Sequence, residues 1–204
     1  MIAPKEYLSL ATAYNLLQGV LRGNRMYRIL VEDYVHPQEG DKVLDIGCGT
    51  AIILNFLPEV SYTGFDVSQN YINHARQYKG DRGDFHVGTV DDVIPQLKSQ
   101  PNSFNIILVL GVIHHLNDPE TLKLMETGWN LLKQGGRLIT LDGCYVPNQS
   151  RLAKFLIDHD RGEYVRNEEG YKNLALKFFK DIQIDIRHDI FQVPYTACIM
   201  SCRK

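Results

Sequence analysis

The chain has 204 residues, 44% hydrophobic and 23% charged, which suits one globular domain spanning 1–204. Its 22 basic and 24 acidic side chains leave a formal charge of −2, which argues against a dedicated nucleic-acid binder. There is no apolar run of the ~20 residues that span a bilayer, no basic-then-apolar leader, and no CxxC or zinc spacing among Cys48, Cys144, Cys198 and Cys202; the expectation is a cytoplasmic protein with reduced thiols, no metal and no membrane partner.

In chain order, Tyr7, Leu8, Ala11, Leu16 and Leu17, then Met26, Ile29, Leu30 and Tyr34, predict helix from about 7 to 35, broken at Gly23-Asn24. Lys42-Val43-Leu44-Asp45-Ile46 reads as a short strand ending in glycines, and 51–57 as a short helix. Residues 61–65 form a second strand, and Ser68 is placed to cap a helix from Gln69 to about Tyr78. Phe85-His86-Val87 suggests a third strand. Residues 106–110 are apolar without alternation, as in a strand covered on both faces. Asp118-Pro119 reads as the next helix start, with Pro at the first helical position. Leu122, Met125, Trp129 and Leu132 form that helix's apolar stripe, and Gly135 is positioned to end it before a strand over 137–141.

Alternating strands and helices imply a parallel sheet with helices on both faces. The tail departs from this. Ile182, Ile184 and Ile186 alternate with polar residues, as at a sheet edge, and Tyr195 to Cys202 forms the second strand of a closing β-hairpin. Between them and the parallel strands, two helices capped by Ser150 and Asn167 interrupt the alternation. Residues 145–180 therefore read as an inserted helical cap, and 1–38 as an N-terminal helical lid.

The most informative stretch is Val43-Leu44-Asp45-Ile46-Gly47-Cys48-Gly49-Thr50-Ala51. Two glycines one residue apart, directly after a strand, allow close approach of a ligand to the backbone. Asp45 lies before the loop, and Asp66 ends the next strand, where a carboxylate can take both hydroxyls of a ribose. A dinucleotide loop needs a small residue where this chain has Ile52, and a pyrophosphate disfavours a neighbouring carboxylate. Asp45 suits a ligand with a cationic ammonium, so S-adenosylmethionine is favoured over a nicotinamide or flavin cofactor and over a turn with no ligand.

From Gly40 to Leu141 the sequence resembles the class I S-adenosylmethionine-dependent methyltransferases. Residues 43–50 match the family's first motif, Tyr62-Thr63-Gly64-Phe65-Asp66-Val67-Ser68 the second, Phe104 to Leu116 the fourth, and 131–138 the helix–turn–strand that follows. The resemblance implies a doubly wound α/β fold with a seven-stranded sheet in the order 3-2-1-4-5-7-6, strand 7 antiparallel. It also implies that Gly47, Cys48 and Gly49 pass under the methionine half of the cofactor. Asp45 would meet the ammonium, Asp66 the ribose, Val67 and the Val90 N–H the adenine, and the Leu110 carbonyl the ammonium again. One departure is Thr89, where the family usually carries an acidic residue for the adenine amino group. Asn105 replaces a common Asp at a position that is usually structural.

Methyl transfer from a sulfonium is an in-line displacement, so the enzyme chiefly supplies alignment and a dry cavity. A base is needed only where the nucleophile arrives protonated. His115, and next His114, are the candidates after the fourth strand. His115 is preferred as the one facing the cavity, because Leu116 must pack inward. Tyr14, Tyr145, His188 and Tyr195 are candidate acceptor contacts, with Asp142 also at a strand end and Gln18 and Arg25 in the lid. Arg151, Arg161, Tyr164 and Arg166 of the cap suit an anionic acceptor. The expected activity is methylation of a small molecule at oxygen, with nitrogen next, by a monomer or homodimer, yielding S-adenosylhomocysteine. The alternatives are an RNA or protein methyltransferase and a non-catalytic adenosylmethionine-binding protein.

Overall fold

The computed structural model describes residues 23–97, 101–160 and 162–204. An eight-stranded sheet runs in the order β3-β2-β1-β4-β5-β8-β7, with a two-residue β6 paired to the end of β5. The strands are β1 (Lys42–Ile46), β2 (Ser61–Asp66), β3 (Gly83–Val87), β4 (Phe104–Leu110), β5 (Leu132–Tyr145), β6 (Arg166–Asn167), β7 (Asp181–Arg187) and β8 (Ala197–Arg203). The first five pair in parallel, whereas β8 is antiparallel to both β5 and β7. Setting aside β6, this is the order that the sequence motifs imply.

Two core layers sandwich the sheet. Val43, Tyr62, Phe85, Ile106, Leu108, Ile139 and Ile199 face α1 (Asn24–Leu30), a 3₁₀ turn over Ile52–Phe56 and α2 (Gln69–Lys79). Leu44, Ile46, Phe65, Ile107, Val109, Leu138 and Met200 form the other layer. It is covered by α3 (Val90–Leu97), α4 (Asp118–Leu131) and α6 (Glu168–Ala175), with α5 (Arg151–Asp158) beside the end of β5. Burial of both faces explains the unbroken apolar run of β4. The alternation in β7 matches its edge position, and β8, one strand further in, is buried along most of its length.

Several boundaries differ from the sequence expectation. The 51–57 helix is a five-residue 3₁₀ turn entered through Ala51 at φ 52°. The cap of α4 is Asn117, not Asp118, and Pro119 follows at the second helical position. Asn117 Oδ1 accepts the Glu120 N–H at 3.0 Å while Glu120 Oε2 accepts the Asn117 N–H at 2.9 Å, a reciprocal pair that Asp118 cannot make. That helix ends at Leu131; Gly135, at φ 77°, lies inside β5, where the pairing with β4 shifts register between Leu132 and Arg137. β5 extends to Tyr145 because β8 pairs with it as far as Gly143 and β6 continues from Cys144. The caps at Ser68, Ser150 and Asn167 are where the sequence put them. Of the 1–38 lid, residues 1–22 lie outside the described residues, as do Tyr14, Gln18 and Arg161.

Candidate functional site

The C-terminal ends of β1 and β4 border an open cleft. Asp45, Gly47, Cys48, Ile52 and Ile53 line it from the loop side, Leu110, Gly111 and Leu141 from the strands, and Met26 and Tyr27 from α1. The loop's sharp course is set by its glycines. Gly47 sits at φ 78°, and a Cβ there would overlap Val112 Cγ2. Gly49, at φ 55°, faces open space. The Gly47 and Cys48 N–H groups both donate to the Phe65 carbonyl, at 2.7 and 2.9 Å, tying the loop to the end of β2.

Two carboxylates flank this loop. Asp66 accepts the Gly49 N–H on Oδ2 at 2.9 Å and the Ser68 N–H on Oδ1 at 2.8 Å. It therefore fixes the loop while remaining partly exposed at the strand end. Asp45 is only 2% exposed; its Oδ2 accepts the Tyr62 hydroxyl at 2.5 Å. Its Oδ1 has no hydrogen-bond partner among the described residues, although it is buried at the cleft wall. Burial pushes the Asp45 carboxyl up to about 7, against the pull of the Tyr62 hydroxyl. Burial, with Asp45 and Asp66 nearby, also pushes the Cys48 thiol well above its ordinary value, so Cys48 is a packing thiol rather than a nucleophile.

A profile of the family described as "Methyltransferase domain" matches residues 44–138, the stretch that contains the loop, both carboxylates and β4. The match covers just under half of the chain and, with the relatives below, supports a class I S-adenosylmethionine-dependent methyltransferase. It is 29% identical over 142 residues to a ubiquinone biosynthesis O-methyltransferase of Xylella fastidiosa, covering 65% of this chain and 53% of that one. It is 28% identical over 206 residues to an eEF1A lysine and N-terminal methyltransferase of Danio rerio, covering 93% of this chain and 27% of that one. The chain thus spans about half the length of the first relative and less of the second. Its fold is that of a SAM-dependent methyltransferase from Archaeoglobus fulgidus (TM-score 0.71, 16% identity, covering 94% of this chain and 99% of that chain).

S-adenosylmethionine is the cofactor of this methyltransferase family, and the residues present fit it. A buried carboxylate oxygen without a described partner suits an ammonium, an open Gly49 leaves room for an amino-acid moiety, and Asp66 adds a partly exposed carboxylate beside the loop. Val67 is 70% exposed beside Asp66, available to an adenine. Thr89 donates its hydroxyl to Asp92 Oδ2 at 2.8 Å ahead of α3, which begins at Val90. Asn105 is structural: its Oδ1 accepts the Lys42 N–H and the Lys133 ammonium, each at 3.0 Å.

The predicted catalytic pair is placed the other way round. His114 is buried, 3% exposed, and His115 is exposed. The reason is a partner invisible in the sequence. Asp142 at the end of β5 holds both the His114 N–H, at 3.1 Å, and its Nδ1, at 2.7 Å, through one oxygen. Neither histidine is among the residues lining the cleft. Asp160 Oδ2 lies 3.9 Å from His114 Nε2 and accepts the Tyr195 hydroxyl at 2.9 Å. The segment after it closes over the ring: a Cβ on Gly162 would overlap His114 Cδ2, and the Tyr164 N–H donates to the His114 carbonyl at 2.9 Å.

The other predicted contacts scatter. The Tyr145 hydroxyl donates to Asp158 at 2.8 Å, His188 Nδ1 lies 3.2 Å from Thr196 Oγ1, and Tyr195 packs edge-on against Phe191. Arg166, expected to be free for an acceptor, is a fastener instead. It donates to the Ile113 and Leu116 carbonyls, at 3.3 and 2.9 Å, and pairs with Asp118, binding the 145–180 segment to the loop after β4. Asp158, His159 and Asp160 turn to separate partners; among the described residues no cluster of three such side chains could hold a metal. No helix among them is long and apolar enough to cross a membrane.

Proposed function

We propose that the protein transfers the methyl group of S-adenosylmethionine to a small-molecule hydroxyl. The observation that carries this reading is the cleft at the glycine loop, walled by a buried carboxylate whose inner oxygen has no described partner. Asp45, Gly47, Cys48, Gly49 and the Leu110 carbonyl would hold the methionine half, Asp66 the ribose, and Val67, Thr89 and the Val90 N–H the adenine. When bound, the cofactor supplies a sulfonium that is already activated toward displacement. The chain's own task is to align an acceptor and take its proton.

For that proton we assign His114 in place of His115. With Asp142 against Nδ1, the imidazole is held in a fixed orientation with Nε2 toward Asp160, outside the residues that line the cleft, so this role requires an acceptor hydroxyl to displace Asp160 and Gly162 from the ring. Tyr195, tied to Asp160, would border that hydroxyl, whereas Tyr145, His188 and Tyr14 carry less of the reading. The likeness to an O-methyltransferase favours oxygen; the likeness to a lysine and N-terminal methyltransferase keeps a protein acceptor as the second reading. The test is calorimetry with S-adenosylhomocysteine, followed by labelled methyl transfer to a panel of phenols, polyols, amines and elongation-factor protein. Binding with transfer to a small hydroxylated acceptor is expected. No binding rejects the reading, and transfer to the protein alone moves it to the second.

A further inference from the structure

Asp45 is set by an arrangement that begins on β2. In the parallel register Asp45 lies opposite Gly64, and Tyr62 lies opposite Gly83 on β3. Successive residues of one parity share a face, so Tyr62 and Gly64 point the same way. A Cβ on Gly64 would come within 3.0 Å of Tyr62 Cε1 and 2.9 Å of Cys48 Sγ; one on Gly83 would come within 2.8 Å of Tyr62 Cδ1. The two glycines thus leave a slot in which the Tyr62 ring lies, with Phe85 tilted against it at 5.8 Å. The ring is 2% exposed, and its hydroxyl ends on Asp45 Oδ2. A neutral donor on one oxygen leaves Oδ1 buried without a described partner, in a residue that lines the cleft, and leaves any charge on the pair unbalanced.

We propose that Tyr62 is a positioning residue for the cofactor: it holds Asp45 with Oδ1 turned into the cleft, so that docking of the cofactor's ammonium there displaces a proton from Asp45. The inference rests on the proposed placement of the ammonium at Asp45. The titratable groups facing Asp45 among the described residues are Tyr62, Asp66 at the end of the same strand and Cys48 in the loop, with Tyr27 from α1 acting on Tyr62. None of them is a cation. In that setting burial keeps the free carboxyl half protonated near neutrality, and the incoming ammonium is the charge that ionises it. The proton leaves Oδ1 for solvent as the ammonium–carboxylate contact forms.

The test is calorimetry of S-adenosylhomocysteine binding to the full chain between pH 6 and 8, in two buffers of different ionisation enthalpy. Close to one proton released per ligand is expected at pH 6, falling away by pH 8, with affinity rising up to ~10-fold per pH unit below 7. Tyr62→Phe keeps the ring but removes the donor that favours the carboxylate. Its expected signature is a midpoint about one pH unit higher and a ~10-fold weaker Kd at pH 7. Unchanged Kd and proton release in a folded Tyr62→Phe variant would overturn the proposal. Should that variant not fold, carbon-13 NMR of the wild-type Asp45 carboxyl decides: titration near 7 supports the proposal, and titration near 4 rejects it. Wild-type binding without proton release rejects this inference alone, whereas absence of binding rejects the placement of the cofactor as well.

Discussion

Two aspartates end two strands of the same sheet, and each is more than nine-tenths buried with one oxygen bonded and the other without a described partner. Asp45 on β1 belongs with Val43 and the α1–α2 layer; Asp142 on β5 belongs with Leu138 and Cys144 and the opposite layer. Asp45 is held by a tyrosine that cannot balance its charge, Asp142 by a histidine that can. On the proposed reading the first receives a cation from outside, and the second steadies an imidazole that gains a proton during the reaction. That proposed division of labour, one carboxylate for binding and one for turnover on opposite faces of the sheet, is what mutation can break.

The largest expected effect is on turnover. With an acceptor in hand, His114→Gln should lower kcat by ~10²–10⁴-fold and leave S-adenosylhomocysteine affinity nearly unchanged. His115→Gln, altering an exposed ring, should retain most of kcat. If His114→Gln lowers only the Tm, the His114–Asp142 pair is a brace for the cap and the comparison fails on that side.

Asp66→Ala should act on binding rather than on the chemical step, weakening S-adenosylhomocysteine by ~1.5–3 kcal/mol, roughly 10–150-fold, as expected for a hydrogen bond to a charged group. Its loss also frees the Gly49 and Ser68 N–H groups, so some loosening of the loop accompanies it. Calorimetry on a folded variant with unchanged affinity would remove Asp66 from the ribose site.

Asp45→Asn should separate binding from stability. Folding raises this carboxyl from 3.8 to about 7. A carboxyl raised by folding contributes stability that is full below its unfolded value and is lost as pH rises through about 7. At pH 8 the ionised Asp45 therefore costs the ligand-free protein on the order of 2–4 kcal/mol, and the asparagine should raise Tm there by roughly 5 °C or more while abolishing ligand binding. No gain at pH 8 relative to pH 5 in thermal melts would contradict this. The smallest effect should come from Lys154→Ala: its bridge to Asp158 is exposed on the cap, and its loss should cost no more than ~0.5 kcal/mol and leave both affinities intact.

The binding half was legible because one continuous stretch encodes it. Asp45, Gly47 and Gly49 lie within five residues, and Asp66 follows one strand later, so local spacing alone brings them together. The helices at 151–158 and 168–175 were equally readable, since Ser150 and Asn167 bond to N–H groups only three residues away. The other half was not. His114, Asp142, Asp160 and Tyr195 come from four separate segments, and their meeting depends on the register of β4 against β5 and on how the cap folds back over the loop. Without that register, neighbouring histidines differ only by packing guesses, and the guess favoured the exposed one.

Tyr62 shows the boundary between the two kinds of information. The sequence by itself determined the two-sided burial of β4, the edge at β7 and the glycine loop with its carboxylates, because periodicity, capping and short-range spacing act within a few residues; the strand order followed from the resemblance of its motifs to a known family. Only the tertiary structure decided which Asp45 oxygen the Tyr62 hydroxyl occupies, that Gly64 and Gly83 open a slot for the Tyr62 ring, and that Arg166 fastens the 145–180 segment to the loop after β4. Those contacts join residues from different strands and loops, whose proximity is set by lateral strand pairing and chain return rather than by anything adjacent in the chain.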